Sequence, residues 1–191
     1  MRFKVIAALV VATALTGASE GVALATSRTS GTAGLAAKTP NAPAGGSVKI
    51  LVTPSKTGNG GTILITGAIG DYGKTLSIDK NGKADPNGTY AKITLHKGTF
   101  EVNLTTFEAK ANKAEFPIDK ASCSSEGSVT GPVTLFKGTG LYEGIKGTAN
   151  ITETVAWILP RYTSGKNKGQ CNGNQSLDYF SSITGNGTVS F

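Results

Sequence analysis

Histidine is nearly absent from this chain: one among 191 residues, alongside one tryptophan, one methionine and two cysteines. A single histidine excludes a multi-histidine metal centre. A Ser-His-Asp triad would depend on His96 alone, and no serine stands in the G-x-S-x-G elbow that presents a nucleophile. His96 itself falls on the polar face of its segment, beside Lys97, as a surface histidine would. Charge is scarce too, at 16% of residues, against about 25% in average domains. The 19 Lys+Arg and 12 Asp+Glu leave a net charge of +7. That surplus is modest, scattered and without a recognition motif, so nucleic acid is not an expected partner. No stretch after the N-terminal segment approaches the roughly 18 apolar residues of a membrane helix, so no span is expected. No cofactor and no bound metal are expected either. Glycine is abundant, at 26 residues, but without the period of three that marks collagen.

The first 25 residues read as a secretory signal peptide. Arg2 and Lys4 form a basic n-region, Val5 to Leu15 is an apolar core too short to span a bilayer, and Ala23-Leu24-Ala25 is a small-x-small cleavage site. Cleavage after Ala25 predicts a secreted protein. Residues 26–46 are Ser, Thr, Gly, Ala and Pro without apolar period, and read as a flexible linker. Residues 47–191 are the expected domain. In an oxidising compartment, Cys123 and Cys171 read as one disulfide closing a loop of almost fifty residues. Two free thiols are the alternative. An immunoglobulin pairing fits poorly, because Trp157 lies nearer the second cysteine than the first.

The domain reads as β throughout. Expected strands are 48–53, 62–69, 75–78 after a Gly70–Gly73 turn, 89–96, 99–107, a weak edge strand near 114–120, and 129–136 interrupted at Gly131-Pro132. A long run over 141–159 broken by Gly144 and Gly147 follows, then 176–183 and 187–191. In 89–96 the alternation is clean, with Ala91, Ile93 and Leu95 on one face. Asn-Gly pairs at 81, 87, 172 and 186 read as turns, and Lys97-Gly98 as a tight hairpin. Only 107–115 has room for one or two helical turns. Eight to ten short strands predict an all-β fold: a single antiparallel barrel of about eight strands, or alternatively a β-sandwich. Such a barrel is either filled by side chains or holds one small ligand.

The segment Lys137-Gly-Thr-Gly-Leu-Tyr-Glu-Gly-Ile-Lys-Gly-Thr148 resembles the G-T/S-G-x-[FY]-x-G-[IA]-x-G signature of the allene oxide cyclase/dirigent barrel superfamily. The resemblance covers about a dozen residues and implies an eight-stranded antiparallel barrel. Gly138 and Gly140 would permit positive φ, Gly144 and Gly147 would relieve crowding, and Tyr142 and Ile145 would pack at the seam. The resemblance also hints at a ligand cavity, but none of the family's catalytic positions maps onto this chain. A lipocalin would place its tryptophan early; here it is at 157.

Chemistry-bearing residues are few. In 149–157 one parity reads Ala, Ile, Glu, Val, Trp, which aims Glu153 into the barrel. Desolvation would raise its pKa and suit it to general-base work or ligand anchoring. A bulge that flips the phase, or a place at the barrel mouth beside a lysine, is the alternative. Glu108 shares the parity of Val102 and Leu104 and is a candidate second carboxylate. Tyr142, Trp157 and Arg161 are candidate ligand contacts. The loop Asp79–Gly88 has oxygen ligands but departs from the EF-hand spacing, and reads as a hairpin loop. Trp157 to Lys168 forms an aromatic edge leading into a basic loop, suited to an anionic envelope polymer. The leading expectation is a non-enzymatic secreted barrel that binds a small apolar or amphipathic ligand. The alternatives are an isomerase or cyclase using Glu153, and an envelope module using the 157–171 surface. The sequence leaves oligomeric state open.

Overall fold

The structure, a computed structural model, describes residues 44–56 and 59–191. The expected signal peptide, and the expected linker up to residue 43, lie outside these residues. The elements in order are β1 (Gly46–Pro54), β2 (Gly61–Gly67), β3 (Asp71–Ile78), β4 (Tyr90–Leu95), β5 (Gly98–Asn103), α1 (Thr105–Ala111), β6 (Ile118–Asp119), β7 (Ser124–Gly140), β8 (Lys146–Ile158) and β9 (Asp178–Ser190). Each long strand alternates, as a wall with one buried face must. In β1, Val48 and Ile50 are buried while Lys49 and Leu51 are exposed.

Eight of these strands close a ring. Neighbours run β5-β4-β3-β2-β1-β9-β8-β7, all antiparallel, and pairing of β5 with β7 completes the circle. This is an antiparallel barrel, not a sandwich, and closure removes the edges that an open sheet would expose. The two-residue β6 is an extra piece beside β7.

Several boundaries differ from the sequence reading. The expected 70–73 turn is the start of β3; the chain reverses at 68–70 instead. The expected 99–107 strand ends at Asn103, and α1 follows. Leu104 therefore sits at the helix start, not in a strand. The 141–159 run divides: 141–145 is a turn, and the strand starts at Lys146. Asn186-Gly187 is no turn; β9 runs through it, paired on both sides with β8 and β1. Pro132 does not interrupt β7. It lies opposite Asn150 of β8, beyond Thr134, where the ladder to β5 ends. A proline is tolerated where a strand lacks one neighbour. α1 packs along that stretch, and Lys110 Nζ donates to the Thr130 carbonyl at 3.4 Å.

The two ends of the barrel differ. One end carries the 68–70, 96–97 and 141–145 turns. Here the interior is filled: Tyr142, Phe100, Ile65, Leu135 and Ile145 are almost wholly buried. Tyr142 meets Phe100 edge-on at 5.8 Å between ring centroids. The glycine-rich turn fits that packing in two ways. Gly140 adopts φ +64°, but Gly138 does not need a positive φ. A Cβ at Gly138 would instead collide with the Tyr142 carbonyl, so close approach explains that glycine. The other end carries α1, the 79–89 loop and the long 159–177 loop. The Cys123–Cys171 disulfide, with a Cα–Cα distance of 5.3 Å, ties the last of these to the start of β7.

Candidate ligand site at the open end

At the α1 end the inward-facing wall is incompletely covered. Val52, Val129 and Ile183 continue the buried rows of β1, β7 and β9, yet are only partly buried. Register brings Val129 and Ile183 to either side of Glu153, and Val52 opposite Ile183. Glu153 thus keeps the inward phase read from its neighbours: Ala149, Ile151 and Val155 on the same parity are buried. No bulge interrupts the β8 pairings around it.

Burial pushes the Glu153 carboxyl above the ordinary glutamate range, and Ser181 partly offsets this by donating from Oγ to Oε1 at 3.0 Å. Glu108 projects from α1, next to Phe107, whose ring anchors the helix in the core. Burial raises Glu108 as well, and the charge of Glu153 raises it further. The two carboxyls therefore share one site, although 45 residues separate them in the chain. Neither has an ion-pair partner among the described residues. The charge of Glu153 thus adds to burial in favouring the protonated form of Glu108.

The other candidates lie elsewhere. Tyr142 is in the filled end with 0% exposure, and its hydroxyl donates to Asp71 Oδ2 at 2.6 Å. Arg161 is spent on structure: its guanidinium donates to the carbonyls of Gly169, Ala121 and Lys120 at 2.8, 2.7 and 3.3 Å. Trp157 is half-buried and leans on Phe116, 5.7 Å between centroids, beyond the Glu153 level of β8. The structure brings Glu108 to Glu153 but does not bring Tyr142 or Arg161 to them. In the 79–88 loop, Asp79 accepts from the Asn81 and Lys83 amides at 2.8 and 2.9 Å, and Asp85 from the Asn87 amide at 2.9 Å. Those carboxylates shape turns.

The sequence reading missed Asp71. It is 5% exposed and accepts three hydrogen bonds: from the Tyr142 hydroxyl, and from the Tyr72 and Lys97 amides at 2.8 and 3.0 Å. Burial alone would raise its pKa, but the three donors together hold the carboxyl below the usual aspartate range. The same arrangement pushes the Tyr142 hydroxyl well above the usual tyrosine range, burial first and Asp71 second. Flanking glycines made Asp71 look like a turn residue, and its main partner is 71 positions away. Comparison with known families, curated proteins and solved structures finds no match to this chain.

Proposed function

We propose that this chain is a secreted barrel protein, cleaved after Ala25, that binds a small amphipathic ligand at the α1 end. The ligand's polar group lies against Glu108 and Glu153, and its apolar part against Val52, Val129 and Ile183. The observation that carries this reading is the meeting of two partly buried carboxyls at the end whose apolar wall is left incompletely covered. Elsewhere the wall is closed by side chains. The resemblance of 137–148 to allene oxide cyclase and dirigent barrels points the same way, towards a ligand inside the barrel.

The test is native mass spectrometry of protein purified from its own host, compared with the denatured mass of the same sample. A discrete excess in the native mass, lost in Glu108→Gln/Glu153→Gln, supports the reading. A native mass equal to the denatured mass, from folded protein, removes it. The raised pKa of Glu153 favours a second reading, an isomerase or cyclase in which this carboxyl moves a proton. Isomerisation conserves mass, so its sign is a chromatographic shift of the released compound without a mass change, abolished by Glu153→Gln.

A further inference from the structure

Outside the barrel, the wall formed by β9, β1, β2, β3 and β4 carries two adjoining concavities that share Thr53, Thr62 and Gly73. Together they make one trough running across the strands. Its side chains fall into two rows. Register places Thr184, Leu51, Leu64 and Tyr72 in one row. The second row is Thr53, Thr62, Lys74 and Thr94. The rows are two residues apart along each strand, about 7 Å, with neighbours about 4.8 Å apart across strands. One row is apolar and aromatic apart from Thr184 at its end; the other is hydroxyl-bearing with a cation among the threonines.

Tyr72 is the distinctive member. It is 59% exposed and continues the exposed apolar row of Leu64 and Leu51, at 46% and 36%. It is nevertheless held in place. His96 packs against it with the rings tilted by 43°, 4.1 Å between centroids, and the His96 Nδ1 lies 2.9 Å from the Tyr72 carbonyl. The Tyr72 hydroxyl has no partner among the described residues. An ordered aromatic plate beside a line of hydroxyls is the surface that a sugar ring requires: one apolar face to stack, and an equatorial rim to hydrogen-bond. The charge selects among sugars. No carboxylate lines the trough, Lys74 stands at its middle, and the outward Lys49 and Lys92 flank it. Among the described residues, the nearby outward acids Glu101 and Asp178 are already paired, with Lys137 at 3.0 Å and Lys56 at 3.2 Å.

We infer that this trough binds an extended acidic polysaccharide, a chain of sugar rings bearing carboxylates, laid across the strands with one ring on Tyr72. The site is separate from the barrel interior and does not depend on the interior ligand. It also differs from the 157–171 surface, whose arginine is consumed by backbone carbonyls.

The experiment is retention of the full chain on immobilised polygalacturonate, with immobilised polyglutamate as a polyanion without sugar rings and cellulose as a neutral glycan. The expected result is salt-sensitive retention on polygalacturonate well above the other two. Tyr72→Ala, which leaves net charge unchanged, should weaken it about tenfold, as should Lys74→Glu. Tyr72→Phe should keep most of it, because the plate survives. Equal retention on polyglutamate, or retention indifferent to Tyr72→Ala, would mean that a cationic protein is merely attracted to polyanions, and would overturn the inference. Strong binding to cellulose that is insensitive to Lys74→Glu would overturn the acidic assignment. Circular dichroism of each variant establishes that the barrel is intact.

Discussion

Asp71 and Glu153 both point into the same barrel, one near each end, and they titrate in opposite directions. Asp71 is 5% exposed, and two amides and a phenol that donate to it hold its carboxyl below the usual aspartate range. Glu153 sits deeper among the barrel's side chains with a single serine donor, and burial pushes it upward. Low solvent exposure therefore does not by itself set the protonation of a carboxyl; desolvation and the donors aimed at it act against each other, and the donors prevail at Asp71 while desolvation prevails at Glu153. A carboxylate supplied with three donors is a structural strut. One left under-supplied in a half-open wall is available to a ligand.

The largest way to perturb this comparison is at the open end. Reducing Cys123–Cys171, or replacing both by Ala, frees a long loop and should cost about 4 kcal/mol in urea unfolding. The packed end should be less sensitive locally, with amide exchange rising first in 159–177. Next comes the strut itself. Asp71→Ala strands a buried phenol and two amides, and should cost about 3 kcal/mol. A variant that loses less than about 1 kcal/mol would show the network to be dispensable. Glu153→Gln should do the reverse, with a small gain at neutral pH, because it removes a carboxyl whose ionised form is disfavoured. An equally large loss at both positions would erase the distinction drawn here.

The pH dependence sharpens it. Glu108 and Glu153 have folded pKa values above the ordinary glutamate value of 4.5. Their penalty is absent while both states are protonated, and it grows as pH rises through 4.5 to the folded values. Asp71 is lowered from 3.8, so its stabilisation is complete above that pH and is lost as pH falls through the folded value. Asp79, Asp119 and Asp178, also lowered, add to the acid-side loss. Stability measured by urea midpoint should therefore rise modestly on acidification towards about pH 4.5 and fall below about 3.8. In Glu108→Gln/Glu153→Gln the rise should vanish while the acid-side fall remains. The smallest expected effect is at the turn of the packed end. Gly144→Ala places alanine at φ +83° and should cost about 1 kcal/mol, whereas Gly138→Ala should cost more, since its Cβ meets backbone.

Much of the barrel was legible in the residues. Ala91, Ile93 and Leu95 alternate with Lys92 and Thr94, and that period of two survives intact in β4. The two cysteines pair, as their even count predicts. Errors fell where a local signal competes with a long-range one. Asn186-Gly187 has turn chemistry, but β1 and β8 flank it and supply a ladder on both sides. Gly70 and Gly73 bracket Asp71 like a turn, but pairing with Ile65 of β2 draws it into β3.

Strand content, the inward phase of Glu153 and the disulfide followed from the sequence by itself, because each depends on alternation, residue type or count along the chain. Closure of the ring, the meeting of Glu108 with Glu153, the burial of Asp71 beneath Tyr142 and the alignment of Tyr72 with Leu64 and Leu51 were decided only by tertiary structure. Each depends on register between strands or elements far apart in the chain. Register is set by the collective fit of all eight walls, which no local window contains.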